Sequence, residues 1–286
     1  LLSLEVKKME FLKREEAPLT AADWERLDKI VIETVKRNLV GRRFIELSGP
    51  YDAGVQFVPQ DIIESGNSGA CGLFGESDCG VVKVKERKFL PLPIIYKDFK
   101  IHWRDIETAK KLGVPLDFSV AAVAASDVAL AEDKLIFHGD KETGFEGLLN
   151  VKGRNVCKIK DWSKEGEAFS NILEAVVKLN ELGFYSNFAL VLNPKDYANL
   201  HRLYGNSGVL EIEHIKKLFD VGVFTTPVVP QNKAVLVATG IENMDIFVSQ
   251  DIITAYVNYD SMDHYFRVFE IVALRIKRPE SICTIE

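Results

Sequence analysis

Residue patterns that carry chemistry are scarce in this 286-residue chain. Cysteine occurs four times, as Cys71, Cys79, Cys157 and Cys283, and no two stand in a CxxC pair. Such isolated thiols suit a reducing cytoplasm and are usually inert there. No apolar run approaches the ~18 residues needed to cross a bilayer. The opening residues, with Glu5, Lys7 and Lys8 among leucines, lack the apolar centre of a signal peptide. The sequence does not start on methionine; Met9 is read as an initiator, with residues 1–8 an extension or a reading-frame artefact. Dense Lys/Arg blocks are absent and the formal net charge is -6, which argues against a nucleic-acid coat. The nearest approach, Lys83, Lys85, Arg87 and Lys88, is interrupted by other side chains and reads as part of a strand.

Enzymatic signatures are missing as well. There is no Gly-rich phosphate loop, no HExxH and no GxSxG elbow. His102, His138, His201, His214 and His264 are scattered, with no second ligand at metal-binding spacing, and read as surface or satisfied histidines. Glu132 and Asp133 are adjacent acids on a helix and read as ionic contacts near its end. No catalytic residue and no metal site is assigned.

What remains is an ordinary mixed α/β pattern. Thr20 and Asp23 mark a helix start, and Trp24, Leu27, Ile30, Val31, Thr34 and Val35 give it one apolar stripe to about residue 39, where Gly41 stops it. Residues 48–82 lose helical periodicity, with Gly, Ser, Asn and Asp clustered at 64–80, before strand-like alternation at 81–85. We read this stretch as an extended, partly β arm that needs a neighbour to pack against. Cys71 and Cys79 fall in it, as reduced loop thiols or as an intersubunit crosslink. An alanine-rich helix opens at 115–119 and runs to about 137, where Gly139 ends it; its small side chains suit a central spine. From 161 the pattern alternates. Ser163 caps a helix, residues 188–192 make a buried strand, and Asn193-Pro194 starts a helix through 203. A loop at 204–208 precedes a helix at 211–219. Strands follow at 221–226, 234–239, 246–249, 252–256 and 265–277.

Several segments, taken in order, resemble encapsulin shell proteins, the linocin-like family. They are MEFLKR (9–14), APLT (17–20), VGRRFIELSGP (40–50), YKDF (96–99), WRD (103–105), EDKLIFHG (132–139), GLLN (147–150), QD (250–251) and RIKRPE (275–280). The wording is most similar to the Firmicute branch associated with iron-mineralising cargo. The resemblance implies an α+β fold, the tailed-bacteriophage major capsid fold of the Hong Kong phage type. It further implies an N-terminal arm and helix at 1–47, an E-loop at 48–95, a P-domain with the spine helix at 96–160, an A-domain at 161–250, and a return to the P-domain at 251–286.

It also implies function. The chain would be a non-enzymatic subunit of a cytoplasmic icosahedral nanocompartment. Its partners would be other copies of itself and a cargo protein, ferritin-like and handling iron, that carries a C-terminal targeting peptide; nucleic acid and membrane are not partners. The docking groove for that peptide maps onto Leu39, Arg42, Glu46, Asp251 and Ile252. A buried Arg42–Glu46 ion pair would make Arg42 structural too. The fivefold pore loop maps onto Tyr204, Gly205, Asn206, Ser207 and Gly208. Some relatives bind a flavin beside a tryptophan matching Trp103, but a flanking arginine is replaced by Ile95, which argues against a flavin here, so the shell itself holds no cofactor. The competing readings are a prophage-type capsid packaging DNA, opposed by the acidic balance, and a protease or bacteriocin-like enzyme, opposed by the missing nucleophile constellation.

Overall fold

The computed structural model describes residues 9–64, 69, 73, 81–206 and 208–286. Residues 1–8, Cys71, Cys79 and Ser207 lie outside the described residues.

Two 3-10 turns, Glu10–Leu12 and Arg14–Glu16, lead into helix α1, Ala21–Asn38. The Thr20 hydroxyl accepts the Asp23 N–H at 3.2 Å, and the Asp23 carboxylate accepts the Thr20 N–H at 3.1 Å. This reciprocal box occupies two N–H groups that the first turn leaves open. Trp24, Leu27, Val31, Thr34 and Val35 are buried and Ile30 partly so, as the stripe predicts. Gly41 does not stop the helix. The helix ends at Asn38, and Gly41 opens a 3-10 turn, Gly41–Arg43. A Cβ on Gly41 would lie 2.5 Å from Ile136 Cδ1, so the turn approaches the Ile136 side chain closely at this glycine.

Strand β1, Leu47–Ser48, is followed by the hairpin of the arm, β2 at Phe57–Ile63 and β3 at Val84–Pro91. The strand expected at 81–85 therefore begins at Val84, because β2 runs out opposite it at Ile63. The arm is only half in need of a partner. Val58 and Leu90 turn one face into the protein's own core, while Phe57 and Phe89 on the other face are 58% and 68% exposed.

Next come β4, Ile94–His102, helix α2, Trp103–Leu112, and helix α3, Ser119–His138. Sequence periodicity missed α2 because Ile106 is its one buried residue. The spine helix opens at Ser119, at the end of the expected 115–119 start, where the Asp117 carboxylate takes the Ser119 N–H and hydroxyl at 2.9 and 2.6 Å. Ala121, Ala124, Ala125 and Ala129 are buried, and the small side chains let α1 and β4 pack closely on α3. β5, Gly139–Asp140, and β6, Phe145–Glu146, turn the chain back.

The remaining elements are β7, Asn155–Cys157; α4, Glu167–Glu181; β8, Phe188–Leu192; α5, Pro194–Asn199; α6, Glu211–Lys216; β9, Gly222–Thr225; β10, Ala234–Ala238; β11, Met244–Asp260; β12, Asp263–Ile276; and β13, Ile282–Ile285. Ser163 is not a helix cap. Its N–H and hydroxyl bond Asp161 at 3.1 and 2.5 Å, and α4 starts after Gly166, at φ +78°. α5 stops at Asn199 rather than 203, because Leu203 turns to bridge with Leu210. The strands expected at 246–249 and 252–256 are one strand, β11, whose register shifts around Gln250 and exposed Asp251 break the alternation.

A four-stranded sheet in the order β1-β11-β12-β4 packs with α1 and α3. A five-stranded sheet in the order β7-β13-β10-β8-β9 packs with α4 in a second core. The boundary at 250 falls inside β11, and the tail divides, with β12 in the first sheet and β13 in the second. β7 and β13 also bring together two cysteines that looked isolated. Cys157 and Cys283 are buried with their sulfurs 3.6 Å apart. Burial and the neighbouring sulfur push the Cys283 thiol up, which keeps it protonated and unreactive.

Candidate functional site

The chain leaves α1 at Leu39, which caps the helix by donating its N–H to the Val35 carbonyl at 2.9 Å. The next two N–H groups, of Val40 and Gly41, both donate to the buried carboxylate of Asp133 on α3, the latter at 2.9 Å. That anchor fixes the 3-10 turn against the last turns of α3 and aims Arg42 into a set of carboxylates.

Arg42 is the centre of the site. Its Nε donates to Glu132 of α3 at 2.8 and 3.0 Å, its Nη2 to Glu270 of β12 at 2.5 Å, and its Nη1 to Asp251 of β11 at 2.8 Å. The Glu132 and Glu270 side chains have no solvent exposure, whereas Asp251 is 53% exposed. One guanidinium thus ties the α1 exit to α3 and to both long strands, using the fork geometry that a lysine lacks. Burial opposes the charge on Arg42, but Glu132, Glu270 and Asp251 outweigh it and hold the group firmly protonated. Burial pushes Asp133 up to about 6, against the pull of the Gly41 and Val40 N–H groups. Glu270 is held well above the ordinary glutamate range, first by burial and then by the charge of Glu132, with Arg42 opposing.

Of the five expected groove residues, Arg42, Asp251 and Ile252 are joined by hydrogen bonds. Leu39 is buried in the main core, Ile252 is partly buried against that core, and Arg42 grips Asp251. Asp251 also accepts the Ile252 N–H at 2.9 Å. Glu46 stands apart, with an exposed side chain, and its carbonyl accepts the Ile246 N–H at 2.9 Å at the entry to the parallel β1–β11 pair. The expected Arg42–Glu46 ion pair is therefore corrected, since the arginine turns inward to Glu132 and Glu270. Glu132 and Asp133 make contacts near the helix end, as read, but as fully buried acids facing Arg42 and backbone N–H groups. Sequence reading missed Glu270. The available signal was a lone acid inside the apolar run Val268, Phe269, Ile271, Val272.

The loop at Tyr204–Gly208 is closed by the Leu203–Leu210 bridge and by the Tyr204 N–H on the Val209 carbonyl at 2.9 Å. The Tyr204 ring packs inward on Phe169 and His214, and the Gly205 N–H donates to the Glu165 carboxylate. The exposed part of the described loop is thus Gly205, Asn206 and Gly208. Trp103 opens α2, its N–H on the Met262 carbonyl at 3.3 Å and its ring 5.9 Å from that of His102. In the β4–β12 ladder His102 is opposite Asp263 and Ile95 opposite Glu270, so Trp103 and Ile95 stand at opposite ends of β4. His138 and His201 bond backbone carbonyls, and His264 bonds the Tyr256 hydroxyl. Among the described residues no three His, Cys, Asp or Glu side chains are placed to hold a metal ion, and no helix is long and apolar enough to cross a membrane.

Residues 9–273 match the model of a family described as encapsulating protein for peroxidase. A type 1 encapsulin shell protein of Myxococcus xanthus is 46% identical over 97% of this chain and 96% of its own length. A diheme-cytochrome–encapsulin shell fusion protein of Kuenenia stuttgartiensis is 40% identical over 95% of this chain and 74% of its own. A ferritin-like–encapsulin shell fusion protein of Pyrococcus furiosus is 26% identical over 72% of this chain and 55% of its own. Among solved structures, the virus-like particle of Pyrococcus furiosus superposes with a TM-score of 0.74 at 24% identity, covering 92% of this chain and 99% of that one. The capsid of the myophage XM1 superposes with a TM-score of 0.60 at 13% identity, covering 84% and 88%. At those identities the structures establish the fold, the tailed-phage capsid fold expected from sequence. The matched relatives are named for shells, and the match at 46% runs almost end to end. The chain belongs to the encapsulin family of shell proteins.

Proposed function

We propose that copies of this chain close into an icosahedral nanocompartment in the cytoplasm around a ferritin-like, iron-handling cargo protein. The observation that carries the shell reading is family membership over nearly the whole chain, together with an arm hairpin whose outer face leaves Phe57 and Phe89 bare. Apolar faces of that kind are removed from water by a neighbour. Enclosure of a ferritin-like protein is supported by the Pyrococcus fusion, which carries both names in one chain.

A cargo's C-terminal peptide would dock where Leu39, Arg42, Asp251 and Ile252 meet, with Glu46 at the margin. Ile252 offers apolar surface, and Asp251 offers an exposed carboxylate to orient the peptide. The exposed loop residues Gly205, Asn206 and Gly208 would line the fivefold pore. The shell itself carries no resident cofactor in this reading, and iron is the cargo's substrate.

Particles purified from cells that make the chain test this reading by gel filtration and mass spectrometry. We expect megadalton particles containing a ferritin-like protein. Ile252→Asp should leave particle size unchanged and lower cargo content about tenfold, the loss of about 1.4 kcal/mol of docking free energy. A stable monomer at micromolar concentration overturns the shell, and packaged nucleic acid would favour the prophage-type alternative. A haem protein in place of the ferritin-like one overturns the iron assignment, and unchanged loading of Ile252→Asp removes the groove.

A further inference from the structure

We propose that the Arg42 hub is a proton-operated latch on the docking strand: Glu132 and Glu270 hold one proton between them, and its loss releases Asp251 and loosens β11 at residues 250–253. Only the consequence for cargo rests on the docking reading above.

Charge counting motivates the latch. Arg42 is the cation bonded to Glu132 and Glu270 among the described residues, and Asp251 draws on the same guanidinium. Two ionised carboxylates with no solvent exposure, facing one cation that is shared with a third, leave a buried charge uncompensated. The geometry shows where a proton relieves this. Glu270 Oε1 is buried with no hydrogen-bond partner among the described residues, and the Glu132 carboxylate lies beside it. A proton on Oε1 turns that orphaned acceptor into a donor toward Glu132, so all three carboxylates are then satisfied around Arg42.

Among the described residues no other nearby group substitutes for the proton. From the 3-10 turn, Arg43 extends its guanidinium to the Arg37 carbonyl at 2.7 Å. From α3, Asp133 is taken by the Val40 and Gly41 N–H groups. From β4, Ile95 faces Glu270, and Lys97, two residues on, is held by Asp127 of α3 at 3.2 Å. α1 contributes its buried stripe here, Thr34 and Val35.

When the proton leaves, the buried pair needs Arg42 more than Asp251 does. Asp251 is the hub carboxylate that can return to water at least cost. Its carboxylate also holds the Ile252 N–H, and the β11–β12 register is already broken between Val248 and Gln250 and between Gln250 and Ile253. Few ladder bonds therefore resist the opening. Because the closed form holds the Glu270 proton above its ordinary value of 4.5, the latch is firm below that value and weakens as pH rises through the raised one.

Hydrogen exchange on intact, cargo-free shells between about pH 5 and about pH 8 reads the latch directly, after correction for the intrinsic pH dependence of exchange. Protection of the amides at 250–253 should fall with pH by at most about tenfold per unit, the limit for one proton. In Glu270→Gln, whose amide donates to Glu132 at every pH, protection should stay high and flat. A flat wild-type profile, or the same slope in Glu270→Gln, overturns the latch. If Glu270→Gln does not assemble, the wild-type infrared spectrum near neutral pH decides, and absence of a protonated buried carboxyl band overturns the proposal. Loaded shells separate the two readings. Amides that open while cargo stays bound would leave the latch standing and remove the groove, and amides that stay closed would remove the latch whatever the cargo does.

Discussion

Arg42→Ala is expected to abolish particle formation or to lower the stability of the subunit by about 3–5 kcal/mol, the range for removing one partner of a buried ion pair. The variant strands Glu132 and Glu270 inside the protein, both without solvent exposure, and leaves the exit of α1 unattached to β11 and β12. Particle yield and the urea midpoint check it, and a variant with wild-type yield and midpoint would show that the hub is not structural. Arg42→Lys should rescue only part of the loss, because a single ammonium cannot span three carboxylates spread around a guanidinium fork. The same geometry disqualifies Arg42 as a clean probe of cargo docking. Any variant that changes Arg42 together with Ile252 confounds lost docking with lost folding, so Ile252 must be tested by itself.

Gly139→Ala should cost about 3 kcal/mol or more, combining backbone strain with overpacking. Gly139 ends α3 at φ +68° and ψ -166°, a region essentially reserved for glycine. A Cβ there would overlap the Phe145 carbonyl oxygen and lie 2.8 Å from the Gly147 nitrogen. All of these are backbone atoms, so no side chain can give way. The push would be felt at Leu148 and Leu149, whose N–H groups donate to carbonyls in the last turn of α3, those of Ile136 and Phe137, at 2.9 Å each. Gly113→Ala is the matched control. It shares a positive φ, +65°, but a Cβ would meet nothing within 4 Å, so its cost should be about 1 kcal/mol. Equal urea midpoints for the two variants would rule out the close approach as the cause.

Elements whose signal is local were legible in the sequence. Thr20 and Asp23 sit one helical turn apart, and each bonds the other's backbone, so the start of α1 needs no tertiary help. Residues 188–192 form an uninterrupted apolar run because β8 is covered on both faces, and that strand was read with its observed ends. Reading failed where a signal depends on partners distant in the chain. α2 buries Ile106 alone and so shows no stripe. β11 looked like two strands because the polar residues Gln250 and Asp251 sit where its register shifts against β12. Ser163 looked like a cap, but the nearer Asp161 captured its hydroxyl.

The candidate site divides in the same way. Among the groove positions named from the resemblance, Arg42, Asp251 and Ile252 are joined by hydrogen bonds, yet Glu132 and Glu270 were invisible as the partners of Arg42, since the residues that meet there are separated by up to 228 positions.

By itself, the sequence determined the family and the elements whose signal is local, such as the start of α1 and the whole of β8, because each is encoded by side chains close together along the chain. Only the tertiary structure decided that Arg42 turns inward to Glu132 and Glu270 rather than to Glu46, that Asp251 is the hub's one exposed carboxylate, and that the last strand leaves the sheet of its neighbour β12 for the other sheet. Those outcomes depend on desolvation and on strand pairing between distant segments, and neither quantity exists until the chain has folded.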